Sequence, residues 1–190
     1  MPRGVQCGGD GGRAEPRVRR TRYDRPMTQK PATRAPKFVP PGEGRPLHGP
    51  GGDSLVHKIT SKDSGGTMLL SDYFLPPGGG TPLHVHTHED ETFFVIEGEV
   101  TFSVNGARLV AAAGATIFGP RGVPHCFKNC SGRPARMVLL VTPGENFEKF
   151  YDVVGLAGAS GGPPTDAEII GRIMATAPAH GITILGPGPL

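Results

Sequence analysis

Apolar and polar residues alternate with a period of two through the middle of the chain, which is typical of half-buried β-strands. The clearest example is Glu99–Val104, where valine or phenylalanine occupies every second position. Asn105 and Gly106 follow, and this dipeptide favours a type I′ turn because both residues readily adopt positive φ. We therefore predict a hairpin in which Ala107–Ala112 returns beside Glu99–Val104.

Several other short segments have the composition of strands and are separated by turns rich in Gly and Pro. They are residues 55–60, 67–75, 114–118, 123–128 and 136–142. Short strands at roughly ten-residue spacing indicate an antiparallel sandwich or barrel. The predicted fold class is therefore all-β.

The period changes to that of a helix near the C-terminus. In Glu145–Val154, aromatic and apolar residues recur at three- and four-residue steps. Thr165 and Glu168 resemble a capping box, which predicts the start of a second helix. Its predicted apolar face consists of Ala167, Ile170, Ile173 and Met174. Residues 181–185 are a candidate terminal strand.

We predict three parts in the chain. They are a disordered Arg/Gly/Pro-rich tail at residues 1–52, a β-barrel at 53–143 and a helical extension at 144–190. Residues 1–26 contain seven arginines and three acidic residues, a net charge of +4, whereas residues 27–190 carry −1. A basic tail could bind nucleic acid; the alternatives are a solvated extension or upstream sequence preceding a start at Met27. We adopt the alternatives and expect no nucleic-acid partner.

Amino-acid composition further restricts the fold class and the cellular compartment that we expect. The 30 glycines, 21 prolines and absence of tryptophan favour a turn-rich β fold. No apolar run approaches the ~20 residues needed to cross a bilayer, and the N-terminus lacks the apolar segment of a secretory signal. The three cysteines give an odd number, which argues against a disulfide framework. We expect a cytoplasmic protein without a membrane partner.

Three histidines and one glutamate have a spacing that suits metal binding. His84 and His86 lie two apart on a predicted strand, so both imidazoles face the same side. Glu91 follows at the next corner or strand, and His125 arrives from a later strand. Three neutral imidazoles and a carboxylate can bind Fe, Mn, Ni, Co, Cu or Zn and leave coordination positions open. Structural zinc sites, in contrast, are usually closed and rich in cysteine.

Neighbouring residues of similar chemistry receive other interpretations. His88 continues the row of histidines, and we leave open whether it is a hydrogen-bond donor behind the ligands, an alternate ligand or a rim residue. Glu89 and Asp90 are interpreted as solvated corner residues. Cys126 follows an inward-facing histidine, so its side chain should point the other way. We interpret Cys126 and Cys130 as ordinary buried or surface thiols.

Ten positions between residues 78 and 129 carry a resemblance to a known family. They are Gly78, His84, His86, Glu91, Gly98, Gly114, Pro120, Gly122, His125 and Asn129. Position for position, they resemble the two motifs of the cupin superfamily. The stretches HVHTHEDETFFVIEGEVTF and PRGVPHCFKN are similar to small, single-domain, quercetin-dioxygenase-like cupins. The resemblance covers about residues 53–152.

The resemblance implies a jelly-roll β-barrel with a metal ion inside. It implies His84, His86, Glu91 and His125 as ligands, and Glu91 also as the base that accepts the proton of a substrate hydroxyl. The implied reaction is metal-dependent dioxygenation of a small enolic or phenolic molecule, flavonol- or polyketide-like. Two alternatives stay open: a non-redox isomerase, cyclase or lyase that uses the metal as a Lewis acid, and a binding module without turnover.

Two further expectations concern the surroundings of the metal. From alternation, we expect the cavity to be lined by Leu70, Phe93, Val95, Phe102 and Phe118. We also expect a homodimer, because cupin barrels often pair through edge strands. The helix at Glu145–Val154 could cap the mouth of the barrel or form the dimer interface.

Overall fold

β-Strands account for most of the regular secondary structure in the computed structural model, which describes residues 34–159 and 161–190. The predicted disorder of residues 1–33 lies outside this described part. The strands in the described part are β1 (Arg45–His48), β2 (Ser54–Ile59), β3 (Leu69–Leu75), β4 (Leu83–His86), β5 (Asp90–Glu97), β6 (Glu99–Val104), β7 (Ala107–Ala112), β8 (Thr116–Gly119), β9 (His125–Lys128), β10 (Ala135–Thr142) and β11 (Ile182–Gly186).

The strands form two sheets with antiparallel pairing throughout. One sheet has the order β1-β2-β3-β10-β5-β8, and the other has the order β11-β4-β9-β6-β7. The many neighbours that are not consecutive in sequence are the crossovers of a jelly roll. This arrangement confirms the predicted all-β jelly-roll class.

The hydrophobic core lies between the two sheets. Along β10, every second residue faces inward, and Ala135, Met137, Leu139 and Val141 are each at most 2% exposed. Phe93 on one sheet packs against Phe102 and Phe127 on the other, with ring centroids 5.2 and 5.4 Å apart. Full burial of one such side chain contributes about 1.5–3 kcal/mol. The alternation read from the sequence therefore produces the packing that closes the barrel.

The predicted hairpin is present with the expected turn. Glu99 pairs with Ala112, and Val104 pairs with Ala107. Asn105 and Gly106 have φ values of 50° and 80°, as a type I′ turn requires. This part of the prediction is confirmed to the residue.

Three α-helices occur in the described residues: α1 (Ser61–Ser64), α2 (Glu145–Val154) and α3 (Asp166–Thr176). The bounds of α2 agree with the prediction, and Thr165 caps α3 in a capping box with Glu168. The predicted apolar face of α3 is wrong. Ile169 and Ile173 are buried, whereas Ile170 and Met174 are 52% and 56% exposed. Periodicity left this choice open, and the docking of α3 against α2 buries only the stripe through Ile169 and Ile173.

The ordered part of the barrel begins earlier than predicted. Arg45–His48, assigned to the tail from the sequence, pairs with β2 in the register Arg45↔His57 to His48↔Ser54. Only Leu47 in this strand is a large apolar residue, and it is buried at 4% exposure. A four-residue strand with one apolar position gives no periodic signal, so pairing and burial decide its structure. No helix in the described residues is long and apolar enough to span a membrane.

Candidate metal centre

The four predicted ligands come together inside the barrel. His84 and His86 lie on β4, and His125 lies directly opposite His84 on β9 of the same sheet. Glu91 approaches from β5 of the facing sheet. One ligand atom from each residue lies within 4.8 Å of the others, and the side chains are at most 8% exposed. The two sheets therefore bring three imidazoles and one carboxylate to a single buried point.

Hydrogen bonds on the far side of each imidazole fix which nitrogen faces this point. His84 Nδ1 lies 2.8 Å from the carbonyl oxygen of Pro82, and His125 Nδ1 lies 2.9 Å from that of Val123. A carbonyl oxygen can only accept, so each Nδ1 carries a proton and donates it. The Nε2 atoms are thereby turned towards the centre, as in metal sites where the other ring nitrogen is held by a hydrogen bond.

The electrostatics of the site favour an ionised carboxylate beside a neutral imidazole. Burial opposes ionisation of Glu91, but electrostatic attraction to His86 and the hydrogen bond to His125 outweigh it and lower the pKa of Glu91 to about 2. Burial, reinforced by repulsion from His125 and His86, lowers the pKa of His84 to about 3. Burial also disfavours charge on His125, but its 2.8 Å hydrogen bond to Glu91 Oε2 raises its pKa.

His86 supplies the test of whether a metal fits. Its Nε2 atom is buried and has no hydrogen-bond partner, and it lies 3.8 Å from Glu91 Oε2, beyond hydrogen-bond distance. Buried polar atoms without a partner are rare and call for an explanation. A free imidazole lone pair beside two other imidazoles and a carboxylate is the donor set that divalent transition metals prefer. The buried His/Glu cluster could therefore bind a metal.

Glu89 corrects one prediction from the sequence. Instead of lying in solvent at a corner, its side chain is fully buried. Its Oε2 atom is 3.3 Å from His86 Nδ1, and its Oε1 atom accepts a 2.6 Å hydrogen bond from Asn146 Nδ2. Asp90 does lie at the surface, where it pairs with Arg121 at 2.7 Å. Glu89 was missed because its burial depends on α2, which the local sequence does not reveal.

A small cavity of about 40 Å³ adjoins His84, His86 and Glu91. None of the five residues predicted to line it does so. Phe93, Val95 and Phe102 are in the core between the sheets, and Phe118 is 57% exposed. The other residues that surround the cavity are mostly apolar, and half of them come from the C-terminal elements: Pro50, Tyr73, Thr81, Pro82, Phe127, Leu139, Phe147, Phe150, Tyr151, Ile173, Ile182 and Ile184.

The described residues from α2 to β11, 145–159 and 161–186, cover the mouth of the barrel and are called the cap below. Phe147 of the cap packs on His86 with ring centroids 5.4 Å apart. Phe150, Tyr151 and Ile173 complete this wall of the cavity. Of the two positions that the sequence left open for α2, the structure therefore shows the one at the barrel mouth.

Two tyrosines add polar groups to the otherwise apolar wall. Tyr73 donates a 3.0 Å hydrogen bond to Asp53 Oδ2, and its hydroxyl also interacts with that of Tyr151. Burial raises the pKa of Asp53 to about 8, although the hydrogen bond from Tyr73 opposes this rise. Asp53 is therefore largely protonated in the folded protein at neutral pH. No sequence motif marked these residues.

The remaining residues considered from the sequence lie outside the cluster. His88 is exposed beside Gly181. Cys126 is buried and Cys130 is exposed, and both are free thiols. Asn129 donates to the carbonyl oxygens of Leu75 and Arg133 at 3.0 and 2.6 Å, so it fixes the loop after β9.

The comparisons with known proteins agree with this fold. A family model described as "Cupin domain" matches residues 72–142. Over 131 residues, 68% of the chain, the sequence is 28% identical to quercetin 2,3-dioxygenase from Bacillus subtilis (strain 168). Over 98 residues, 52% of the chain, it is 29% identical to tetracenomycin polyketide synthase protein TcmJ from Streptomyces glaucescens. The matches cover 37% and 66% of these two proteins, so the chain spans less than two thirds of either.

Among solved structures, the polyketide cyclase RemF from Streptomyces resistomycificus is similar with a TM-score of 0.51 and 23% sequence identity. The similarity covers 57% of this chain and 80% of RemF, and at this identity it shows a shared fold. The jelly-roll sheets, the motif positions and the family match lead to one conclusion: residues 72–142 of this chain form a cupin domain.

Proposed function

We propose that this protein is a metal-dependent enzyme that dioxygenates a small enolic or phenolic substrate. The observation that carries the proposal is the convergence of three imidazoles and a carboxylate within 4.8 Å beside an apolar cavity. The ligands are His84, His86, Glu91 and His125, and the ion is one of Fe, Mn, Ni, Co, Cu or Zn. When bound, such an ion supplies a Lewis acid with open coordination positions beside Glu91.

Glu91 is the proposed general base as well as a ligand. With a pKa of about 2 it is ionised at neutral pH, as a base must be before it accepts a proton. A phenol, with a pKa of about 10, gives its proton to a carboxylate more readily than a simple alcohol does. Glu91 Oε2 lies 2.8 Å from His125 Nε2, so the carboxylate and this imidazole can reach the same ion.

The size of the cavity constrains how a substrate enters. A volume of about 40 Å³ holds one or two water molecules, whereas sites for drug-sized ligands usually measure about 300–1,000 Å³. A groove of about 750 Å³ lies on the outer side of the same wall, and Ile173 and Ile184 line both spaces. We propose that substrates enter from this groove by displacing these two side chains.

The curated relatives support the proposed substrate class. One is a quercetin 2,3-dioxygenase, and the other is a tetracenomycin polyketide synthase protein. Both names refer to planar oxygenated ring systems that carry enolic or phenolic hydroxyls. The relatives also favour a second candidate, because a polyketide-directed cupin need not use dioxygen. In that case the same site would catalyse cyclisation, isomerisation or elimination with the metal as Lewis acid.

Oxygen uptake tests the proposal. Full-length protein loaded separately with Fe, Mn, Ni, Co, Cu and Zn would be assayed against a panel of flavonols, catechols and polyketide-like enols. We expect substrate-dependent oxygen consumption with at least one metal, abolished in His86→Ala and retained in His88→Ala, because His88 lies outside the cluster. Elemental analysis of protein purified without an affinity tag identifies the native metal.

Two other results would replace the proposal. Turnover that proceeds at the same rate without oxygen, and with Zn, would establish the Lewis-acid reaction instead. Tight substrate binding without turnover for any metal would establish a binding module.

We also propose that the protein forms a homodimer and binds no nucleic acid. Strand β7 lies at an edge of its sheet and carries Leu109 and Val110, which are 41% and 58% exposed. Exposed apolar edge strands favour pairing with another chain. Light scattering should give about twice the chain mass of 19.9 kDa, and Val110→Lys should reduce it to one chain. A wild-type mass of 19.9 kDa would disprove the dimer.

A further inference from the structure

Glu89 begins a continuous chain of polar contacts that leads from the metal centre into the cap. Its carboxylate is fully buried, yet no Lys or Arg pairs with it among the described residues. Its two oxygens contact different elements: Oε2 lies 3.3 Å from His86 Nδ1, and Oε1 accepts from Asn146 Nδ2 at 2.6 Å. Burial of a carboxylate with so few hydrogen-bond partners costs free energy, so the position of Glu89 calls for an explanation.

Asn146 connects this carboxylate to the end of the cap. Its Nδ2 also donates to the carbonyl oxygen of His180 at 2.8 Å. In return, His180 Nδ1 lies 3.0 Å from Asn146 Oδ1 and 3.1 Å from its carbonyl oxygen. Thr87 is joined to the next residue, Gly181, by hydrogen bonds from its backbone and side chain to the Gly181 carbonyl oxygen at 2.9 and 2.7 Å. The corner after β4 is thus attached to both ends of the cap.

We infer that Glu89 is a positioning residue that couples metal binding at His86 to closure of the cap over the cavity. This inference rests on the metal site proposed above. When Nε2 of His86 coordinates a cation, the proton on Nδ1 of the same ring becomes more acidic. The hydrogen bond that this proton makes to Glu89 then becomes stronger. A firmly held Glu89 keeps Asn146, and with it α2, on the barrel mouth.

The coupling must act in both directions. If metal binding stabilises the closed cap, then the closed cap raises metal affinity by the same factor. Phe147, next to Asn146 in sequence, packs on the His86 ring, so movement of the cap would remove an apolar contact as well as the polar one. A metal ion bound at the four-residue cluster would therefore hold the cap closed over the cavity, and its loss would let the cap open more readily.

Hydrogen exchange with Co²⁺ as the probe tests this inference without an activity assay. In the wild-type protein, Co²⁺ should slow amide exchange in residues 145–154 and 177–181. Glu89→Gln should lower Co²⁺ affinity by about 10- to 100-fold, shift the visible Co²⁺ absorption bands and remove this protection. Asn146→Ala should also remove the protection, while it leaves the contact between Glu89 and His86 in place.

Glu145→Gln is the matched control, because Glu145 lies at the same end of α2 and, among the described residues, its side chain bonds only to exposed Lys149. It should behave as the wild type does. If Co²⁺ protects the cap equally in Asn146→Ala and in the wild type, the inference is wrong although the metal site stands. If the wild-type protein does not bind Co²⁺, the proposed function fails first. If Glu89→Gln does not fold, as judged by circular dichroism, Asn146→Ala decides the question.

Discussion

The strands that carry the proposed ligands and the cap form different walls of one cavity, and the sequence specifies them in different ways. The proposed ligands lie on β4, β5 and β9, where strand geometry turns alternate side chains inward and pairs His84 with His125. The cap contributes Phe147, Phe150 and Ile173 from helices whose faces are chosen by docking. The residues that carry the chemistry can therefore be identified from short stretches of sequence. The size and shape of the cavity depend instead on contacts between residues that are distant along the chain.

Removal of a ligand should have the largest effect. Structural zinc sites bind their metal with about 10–16 kcal/mol, so one of four ligands contributes on average about 2.5–4 kcal/mol, or about 60- to 700-fold in affinity. His86→Ala should therefore lose at least this much Co²⁺ or Zn²⁺ affinity in a chelator competition titration. His57→Ala is the control, since His57 is equally buried but lies outside the cluster. Equal affinities in the two variants would remove His86 from the ligand set.

A truncation in the cap should instead lower the free energy of unfolding and leave metal affinity nearly unchanged. Ile173→Ala removes a buried side chain that separates the cavity from the outer groove. Such truncations usually cost about 2–5 kcal/mol, and metal affinity should change less than about threefold. Ile170→Ala, on the same helix but 52% exposed, should change stability by less than about 0.5 kcal/mol. Denaturant unfolding measures both values, and a larger loss in Ile170→Ala would contradict the assigned face of α3.

The same comparison explains which features could be predicted from the sequence. The hairpin at Asn105 followed from turn chemistry, and the shared face of His84 and His86 followed from alternation along a strand. The full set of proposed ligands was implied by the resemblance to the cupin motifs. Glu89 could not be predicted, because the donor that permits its burial, Asn146, is 57 residues away. The cavity lining was wrong for the same reason: inward-facing Phe93 could be recognised, but the distance between the sheets that turns it into core rather than cavity could not.

Asp53, which accepts a hydrogen bond from Tyr73 of the cavity wall, should make the free energy of unfolding depend on pH. Its pKa is raised from 3.8 to about 8 by burial, so the folded protein retains a proton that the unfolded chain loses above about pH 4. Wild-type stability should therefore fall as the pH rises from 4 to 8, by at most about 1.4 kcal/mol per unit from this group. Asp53→Asn cannot ionise, so its stability relative to wild type should rise over the same range.

The pH series for Asp53→Asn has an internal control. Burial lowers the pKa of His57 from 6.5 to about 4, so this residue contributes stability that is lost as the pH falls below 6.5. Because His57 is present in both proteins, its contribution cancels in the difference between them. Chemical unfolding at pH 5, 6, 7 and 8 gives this difference directly. A constant difference across the series would show that Asp53 is ionised in the folded protein at every pH.

Loss of the exposed ion pair between Arg121 and Asp90 should have the smallest effect on stability and metal affinity. Arg121 pairs with Asp90, next to Glu91, through contacts of 3.0 and 2.7 Å, but its side chain is 47% exposed. Exposed ion pairs contribute little, since solvent screens them and ordering the side chains costs entropy. Arg121→Ala should lower the melting temperature by less than about 3 °C and leave metal affinity within about threefold of wild type. A loss of affinity as large as that in His86→Ala would mean that the ligand wall is held from its surface. The Glu89–His86 contact, buried on the inner side, would then not be what positions the ligands.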